Sequence, residues 1–268
     1  MFHPARRIAI FIDGGFFLKR LPRLGLPPQY HATPEAVAKT AYELCKRHVL
    51  RLVGNDFRED GQWLQFAYRF FYYDAWPFEG TAHHPLTNQL IKFSETREAK
   101  FRRELFQYLR AKRKFAVRLG QVQNVGGWQL VDHRKLKRLL KTEQFSYLFR
   151  KLAEEGSANT DSLAESERKF LTNLAEEWRS LAESDVKPEL RQKGVDMRLG
   201  MDIASIVVKK QANTLVLVTG DSDFVPAAKL ARREGAEVIL DPMRQNIRPA
   251  LQEHIDGLYS VLGKEQMP

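Results

Sequence analysis

The chain has 268 residues, 43% of them hydrophobic, and its 43 lysines and arginines outnumber 33 aspartates and glutamates for a formal net charge of +10. That is enough for one large α/β domain with a real core, and nothing repeats or is of low complexity. One cysteine, Cys45, excludes an internal disulfide and a cysteine-based zinc cluster, and no apolar run approaches the roughly 18 residues of a membrane span.

Residues 6–12 (RRIAIFI) are apolar and β-branched and run into Asp13-Gly14-Gly15, which predicts a buried strand ending in a tight turn. The stretch Ile8 to Ile12 is too short for the core of a signal peptide, so the expected setting is a reducing cytoplasm. Residues 33–52 read as a helix, with Thr33 as N-cap and Pro34 at the first helical position. Cys45 falls inside that helix and reads as a small buried apolar residue.

Residues 63–73 (WLQFAYRFFYY) predict a very aromatic strand, with Asp74-Ala-Trp-Pro opening a loop. Residues 96–114 form a basic helix with an apolar stripe at Phe101, Leu105, Phe106 and Leu109. Residues 115–122 alternate as a half-exposed strand does, Asn124 to Gly127 reads as a turn, and 128–131 as a short further strand.

From 132 to 191 the chain is charged and helical in period, broken at Gly156-Ser-Ala-Asn-Thr, and reads as a helical insertion within a single domain spanning 1–268. Helices are expected over 193–210 and 225–234, the latter closed by Gly235, with strands over 214–219 and 237–240 and a last helix over 247–256. Strand and helix alternate, so the expected fold is α/β, with a mainly parallel central sheet between helical layers. Ligands of such sheets bind beyond the carboxyl ends of the strands.

Two strands end there in acids and glycines: Ile12-Asp13-Gly14-Gly15 and Val218-Thr219-Gly220-Asp221-Ser222-Asp223. If the strands are neighbours, Asp13, Asp221 and Asp223 converge. Clustered carboxylates repel one another unless a cation sits among them, and Mg²⁺ or Mn²⁺ suits an all-oxygen site. Such an ion serves phosphodiester hydrolysis. Taken singly, Asp221 and Ser222 read equally well as a helix N-cap, and Asp13 as a turn former.

Asp196 opens the helix that follows Lys193-Gly194-Val195, where the helix dipole tolerates an anion. Asp202 lies six residues on, a rotation of roughly 240°, in an apolar stretch where a carboxylate needs a partner or a metal.

Taken together, FIDGGFF at 11–17, KGVDMRLGMDIA at 193–204 and TLVLVTGDSDFVPAAKLARREGAEVIL at 214–240 resemble the NYN domain family, also called LabA-like, a branch of the PIN-like nucleases. RFFYYDAWP at 69–77 and VRLGQVQ at 117–123 resemble that family's middle strands. The resemblance covers most of 6–131 and 192–244. It implies a PIN-like three-layer sandwich, dependence on Mg²⁺ or Mn²⁺, and an endoribonuclease. It carries catalytic and metal-binding roles onto Asp13, Asp196, Asp221 and Asp223, a supporting role onto Asp202, and a substrate contact onto Lys193. Phe16 stands where many members carry asparagine.

Substrate contacts are also expected from Ser222 and from Arg103, Arg110 and Lys114 in the basic helix, with Arg134 to Lys141 as a second basic stretch and Trp76, Phe78 and Trp128 as stacking candidates. Net positive charge favours a polyanionic partner, here single-stranded or structured RNA, and no membrane. A homo-oligomer stays open. The alternative is a catalytically weak or inactive PIN-like module that binds RNA and regulates. His83 and His84 lack a third ligand and read as ordinary loop residues.

Overall fold

A computed structural model of the protein describes residues 6–57, 59–141, 143, 146, 147, 150 and 164–263. The expected break at 156–160 lies outside them. The strands are β1 (Ile8–Asp13), β2 (Ala67–Trp76), β3 (Thr81–His83), β4 (Leu90–Lys92), β5 (Phe115–Leu130), β6 (Val186–Lys193), β7 (Thr214–Val218), β8 (Glu237–Asp241) and β9 (Gly257–Leu258). The described α-helices are α1 (Gly14–Arg20), α2 (Pro34–Val53), α3 (Arg97–Arg110), α4 (His133–Leu140), α5 (Glu165–Arg179), α6 (Val195–Val208), α7 (Val225–Arg233) and α8 (Pro249–Gln252).

Seven strands form one sheet in the order β6-β5-β2-β1-β7-β8-β9. The pairings of β1 with β2 and β7, of β2 with β5, and of β8 with β7 and β9 are all parallel. The expected α/β architecture is therefore present. Because β1 sits between β2 and β7, the chain winds outward in both directions from it. The switch point of the sheet is at the carboxyl ends of β1 and β7, where a crevice opens between diverging connections.

Alternation along the strands separates two cores. Ile8, Ile10 and Ile12 join Phe70, Tyr72, Val216 and Val218 under α1, α2 and α3. Ala9 and Phe11 join Phe71, Tyr73, Leu215 and Leu217 under α6 and α7. Successive side chains of a strand point to opposite faces, so a strand covered on both sides is apolar throughout. All five residues of β7 are buried.

Helix α2 starts as expected, with the Thr33 hydroxyl accepting from the Ala36 N–H at 3.2 Å. Other expectations shift. Residues 59–66 are a 3-10 helix rather than strand, with Trp63 stacked on Phe70 and edge-on to Tyr42. The strand starts at Ala67 and runs through Asp74 to Trp76, beyond the expected end. The expected turn at 124–127 is absent: β5 continues for 16 residues through it. Residues 186–193 form β6, a strand that the charged sequence hides. Only Pro249–Gln252 of the expected last helix is helical.

The described chain separates into two compact units, one of 1–80, 92–123 and 192–268, the other of 81–91 and 124–191. β5 and β6 continue from the first unit into the second. Within the second unit, α4 and α5 are joined by an Arg138–Glu177 ion pair at 2.6 Å, and Lys135 pairs with Asp185 at 2.6 Å. These pairs occupy two of the cations expected to face phosphate. His84 is buried there, edge-on to Trp128 and 3.1 Å from the Glu183 carbonyl. Trp128 is thus engaged in packing, as are Trp76 against Phe106 and Phe78 against Phe93 in the first unit. Among the described residues no helix is long and apolar enough to cross a membrane.

Candidate active site

The switch point is lined by acids because β1 ends in Asp13, β2 carries Asp74 two residues before its end, and Asp221 and Asp223 follow β7. Parallel register sets Ile12 opposite Val218 and Asp13 opposite Tyr73. Asp13 is both the last residue of β1 and the N-cap of α1: its Oδ1 accepts from the Phe16 N–H at 3.0 Å. The chain can turn at once into a helix here because Gly14 has no side chain. A Cβ on it would lie 2.6 Å from the Tyr72 ring and from the Tyr73 carbonyl.

Thr219 fixes Asp13 from the neighbouring strand. Its hydroxyl donates to Asp13 Oδ2 at 3.4 Å and accepts from the Asp221 N–H at 3.1 Å. One buried threonine therefore ties both acidic loops together. Asp221 in turn accepts from the Asp223 N–H at 3.0 Å, shaping the turn that carries both acids. The ring of Phe16 fills the space beside this loop, since a Cβ on Gly220 would come within 2.7 Å of it. Phe16 thus orients Asp13 through its backbone N–H, where an asparagine would offer an amide side chain as well.

The electrostatics show crowded negative charge. Burial, reinforced by the charges of Asp196 and Asp74, raises the Asp13 carboxyl to about 6, against the opposing hydrogen bonds from Phe16 and Thr219. Asp196, in the first turn of α6, is raised by burial and then by the charges of Asp221 and Asp223. These couplings link Asp13 to Asp196, and Asp196 to both acids of the β7 loop. Asp196 is thus the acid that lies electrostatically between Asp13 and the β7 loop.

Asp202 stands apart from it. Its Oδ2 accepts from the Tyr73 hydroxyl at 2.8 Å and pairs with Arg118 at 3.3 Å. These two partners offset its desolvation, and it is not among the charges acting on Asp13 or Asp196. Lys193 is exposed at the end of β6, two residues before α6. Ser222 opens the short 3-10 turn after Asp221, with Arg248 3.5 Å from its hydroxyl.

The basic helix α3 is divided between the two ends of the sheet. Arg103, nearer its start, pairs with Glu79 at 3.2 Å and donates to the Ser94 carbonyl at 2.6 Å. Arg110 is its last residue. Lys114 lies before the amino end of β5 and donates to the Leu64 carbonyl at 2.7 Å and to the Ala67 carbonyl. Arg110 and Lys114 are accordingly at the opposite edge from the acids, and Lys114 holds backbone together.

Sequence reasoning missed Thr219, Tyr73 and the pair Asp74–Arg102. Asp74 is fully buried at the carboxyl end of β2. Its Oδ1 accepts from the Ala75 N–H at 2.8 Å and from Arg102, while Oδ2 has no partner among the described residues. Burial raises its carboxyl against the opposing charge of Arg102. The available signal was an acid ending an apolar strand, the same signal that marks Asp13.

Among the described residues no group of three or more histidine, cysteine, aspartate or glutamate side chains is arranged to hold a metal ion. The donor chemistry nevertheless suits a hard cation. The acids are all-oxygen ligands, and burial, reinforced by neighbouring negative charge, raises the Asp13 and Asp196 carboxyls, a cost that a divalent ion would relieve.

A family model described as NYN domain matches residues 125–261, half of the chain, and includes Asp196, Asp221 and Asp223. The matched stretch begins after β1, so Asp13 lies outside it. An uncharacterized protein of Methanocaldococcus jannaschii is 28% identical over 75 residues, covering 28% of this chain. The chain matches 31% of that protein's length. No solved structure matches.

Proposed function

The chain belongs to the NYN domain family, and from that premise we propose that it is a metal-dependent endoribonuclease whose centre is Asp13, Asp196, Asp221 and Asp223. The observation that carries this reading is geometric: the Thr219 hydroxyl bonds both Asp13 Oδ2 and the Asp221 N–H, which joins the acidic end of β1 to the β7 loop at the switch point of the sheet, with Asp196 of α6 near enough for its charge to act on Asp13.

In this proposal Asp13 and Asp221 hold Mg²⁺ or Mn²⁺, and Asp196 and Asp223 complete its shell directly or through water. When bound, such an ion polarises a phosphoryl oxygen and lowers the pKa of a water bound to it. The chain's own groups set up the site. Thr219 and the Phe16 N–H fix the direction of the Asp13 oxygens. Asp196, raised above the usual carboxylate range, is suited to accept a proton from an attacking water and release it afterwards. Lys193, Ser222 and Arg248 offer donors for the phosphate oxygens.

The test is cleavage of a panel of RNA and DNA strands with Mg²⁺, Mn²⁺ or EDTA, beside Asp221→Asn. Cleavage of single-stranded RNA that needs the ion and is lost in the folded variant is expected. Full activity of Asp221→Asn rejects the assignment. A second reading is an RNA-binding module of the same shape without turnover. One observation favours it: among the described residues no three carboxylates are arranged as a ready-made ligand group. Calorimetry separates the two, since no binding at millimolar Mn²⁺ supports the second.

A further inference from the structure

A cavity of about 470 Å³ opens beside α1, the start of α2 and the first turns of α3. It has the size of a small-molecule subsite. Leu18, Leu21, Pro22 and Phe101 form its apolar lining, and Arg97, Glu98 and Arg102 bring charge to it. No ion pair engages Arg97 among the described residues, whereas Arg102 is held between Glu98, at 3.3 Å, and Asp74.

Two structural links join this cavity to the acidic centre. The first is α1 itself. Asp13 caps its start, and Leu18 lies five residues on, a rise of about 7.5 Å at 1.5 Å per residue. The second is Arg102, which faces the cavity and pairs with Asp74, the acid whose charge acts on Asp13. The cavity wall at Leu18 thus lies about 7.5 Å along α1 from the end that Asp13 caps.

We propose that this cavity is a nucleobase subsite that takes one unstacked base of the RNA strand beside the scissile phosphate. The proposal rests on the nuclease reading and adds its mode of substrate recognition. Single-stranded RNA is read by splaying bases onto aromatic side chains and hydrogen-bonding their edges. Phe101 supplies the stacking surface. The Glu98 carboxylate accepts from an exocyclic amino or ring imino group, as acids do from the cytosine amino group. Arg97 meets the backbone phosphate of the same nucleotide. Uracil, with a single imino donor, is the base this lining holds least well.

The experiment measures binding in EDTA, so that cleavage does not intervene. Fluorescence anisotropy is read for a short labelled single-stranded RNA and for matched strands carrying an abasic nucleotide at each position in turn. The protein is expected to bind the intact strand more tightly than one of the abasic strands. Phe101→Ala is expected to lose about fivefold to a hundredfold in affinity and to stop distinguishing the two. Arg97→Glu, at an exposed position, is expected to weaken both strands, and it serves as the second variant if Phe101→Ala melts early. Equal affinity of the folded protein for intact and all abasic strands, or wild-type affinity in Phe101→Ala, overturns the subsite. If the subsite variants bind and cut as wild type does, the subsite fails and the nuclease reading stands. If Asp221→Asn still cuts while Phe101→Ala loses base-dependent binding, the nuclease assignment fails and the subsite stands.

Discussion

Asp13, the acid at the centre of the proposed site, costs the fold stability. Its carboxyl sits at about 6 in the folded protein against 3.8 ordinarily. A raised acid is bound to its proton more tightly in the folded state than in the unfolded one. Its charge therefore destabilises the fold above pH 6, and the loss is recovered as pH falls from 6 towards 3.8. Asparagine keeps the N-cap acceptor and the shape but carries no charge. In EDTA at neutral pH, Asp13→Asn is expected to raise stability by on the order of 1–3 kcal/mol, and in a separate assay with Mn²⁺ it is expected to lose the proposed cleavage. Urea denaturation at several pH values checks this. The difference between the two proteins should shrink below pH 4, and a variant less stable than wild type at pH 7 contradicts the account.

At the scale of elements, the helices are pinned to the strand ends by buried polar pairs as well as by apolar packing. His48 of α2 and Asp241 at the end of β8 are both fully buried, with Nε2 and Oδ2 2.8 Å apart. Asp241 also accepts from the Met243 N–H at 2.8 Å and holds the turn after β8. His48→Leu fills the volume but leaves Asp241 facing a side chain that cannot donate. Leaving a buried acceptor without its donor costs about 1–3 kcal/mol. Chemical denaturation should show a loss of that order, and a loss below about 1 kcal/mol would mean that water or backbone replaces the imidazole. The same logic explains Tyr73 and Arg118, which clamp Asp202 of α6 to β2 and β5. Asp202 reads as a site acid in the sequence because its partners lie more than 80 residues away in the chain.

For the whole molecule, the net charge of +10 and its placement would govern encounter with the proposed RNA substrate. Counterion release makes the logarithm of affinity fall with the logarithm of salt by about 0.7 for each single-strand phosphate neutralised. Anisotropy measured over a salt series is expected to give a slope of several contacts. Arg103→Glu, toward the acidic edge, should reduce that slope, whereas Arg110→Glu, at the far edge, should leave it nearly unchanged. Equal effects of the two would place the strand across both edges of the sheet.

The sequence by itself determined the parallel α/β fold and the position of each acid in the chain. Apolar β-branched runs such as 8–12 and 214–218 can be buried strands and little else, and an acid with glycine at a strand end marks the carboxyl edge. Local chemistry also fixed the start of α2 at Thr33-Pro34. It misled where local preference yields to packing: Trp63 and Leu64 are buried in a 3-10 turn, and β5 runs straight through two glycines. Only the tertiary structure decided which acids lie near one another. Asp196 acts on Asp13, Asp221 and Asp223 act on Asp196, and Asp202 is held by Tyr73 and Arg118, because charge interactions depend on distance through space. That distance is set by strand order and by residues such as Thr219 and Arg118, which nothing in their own neighbourhoods of the sequence distinguishes.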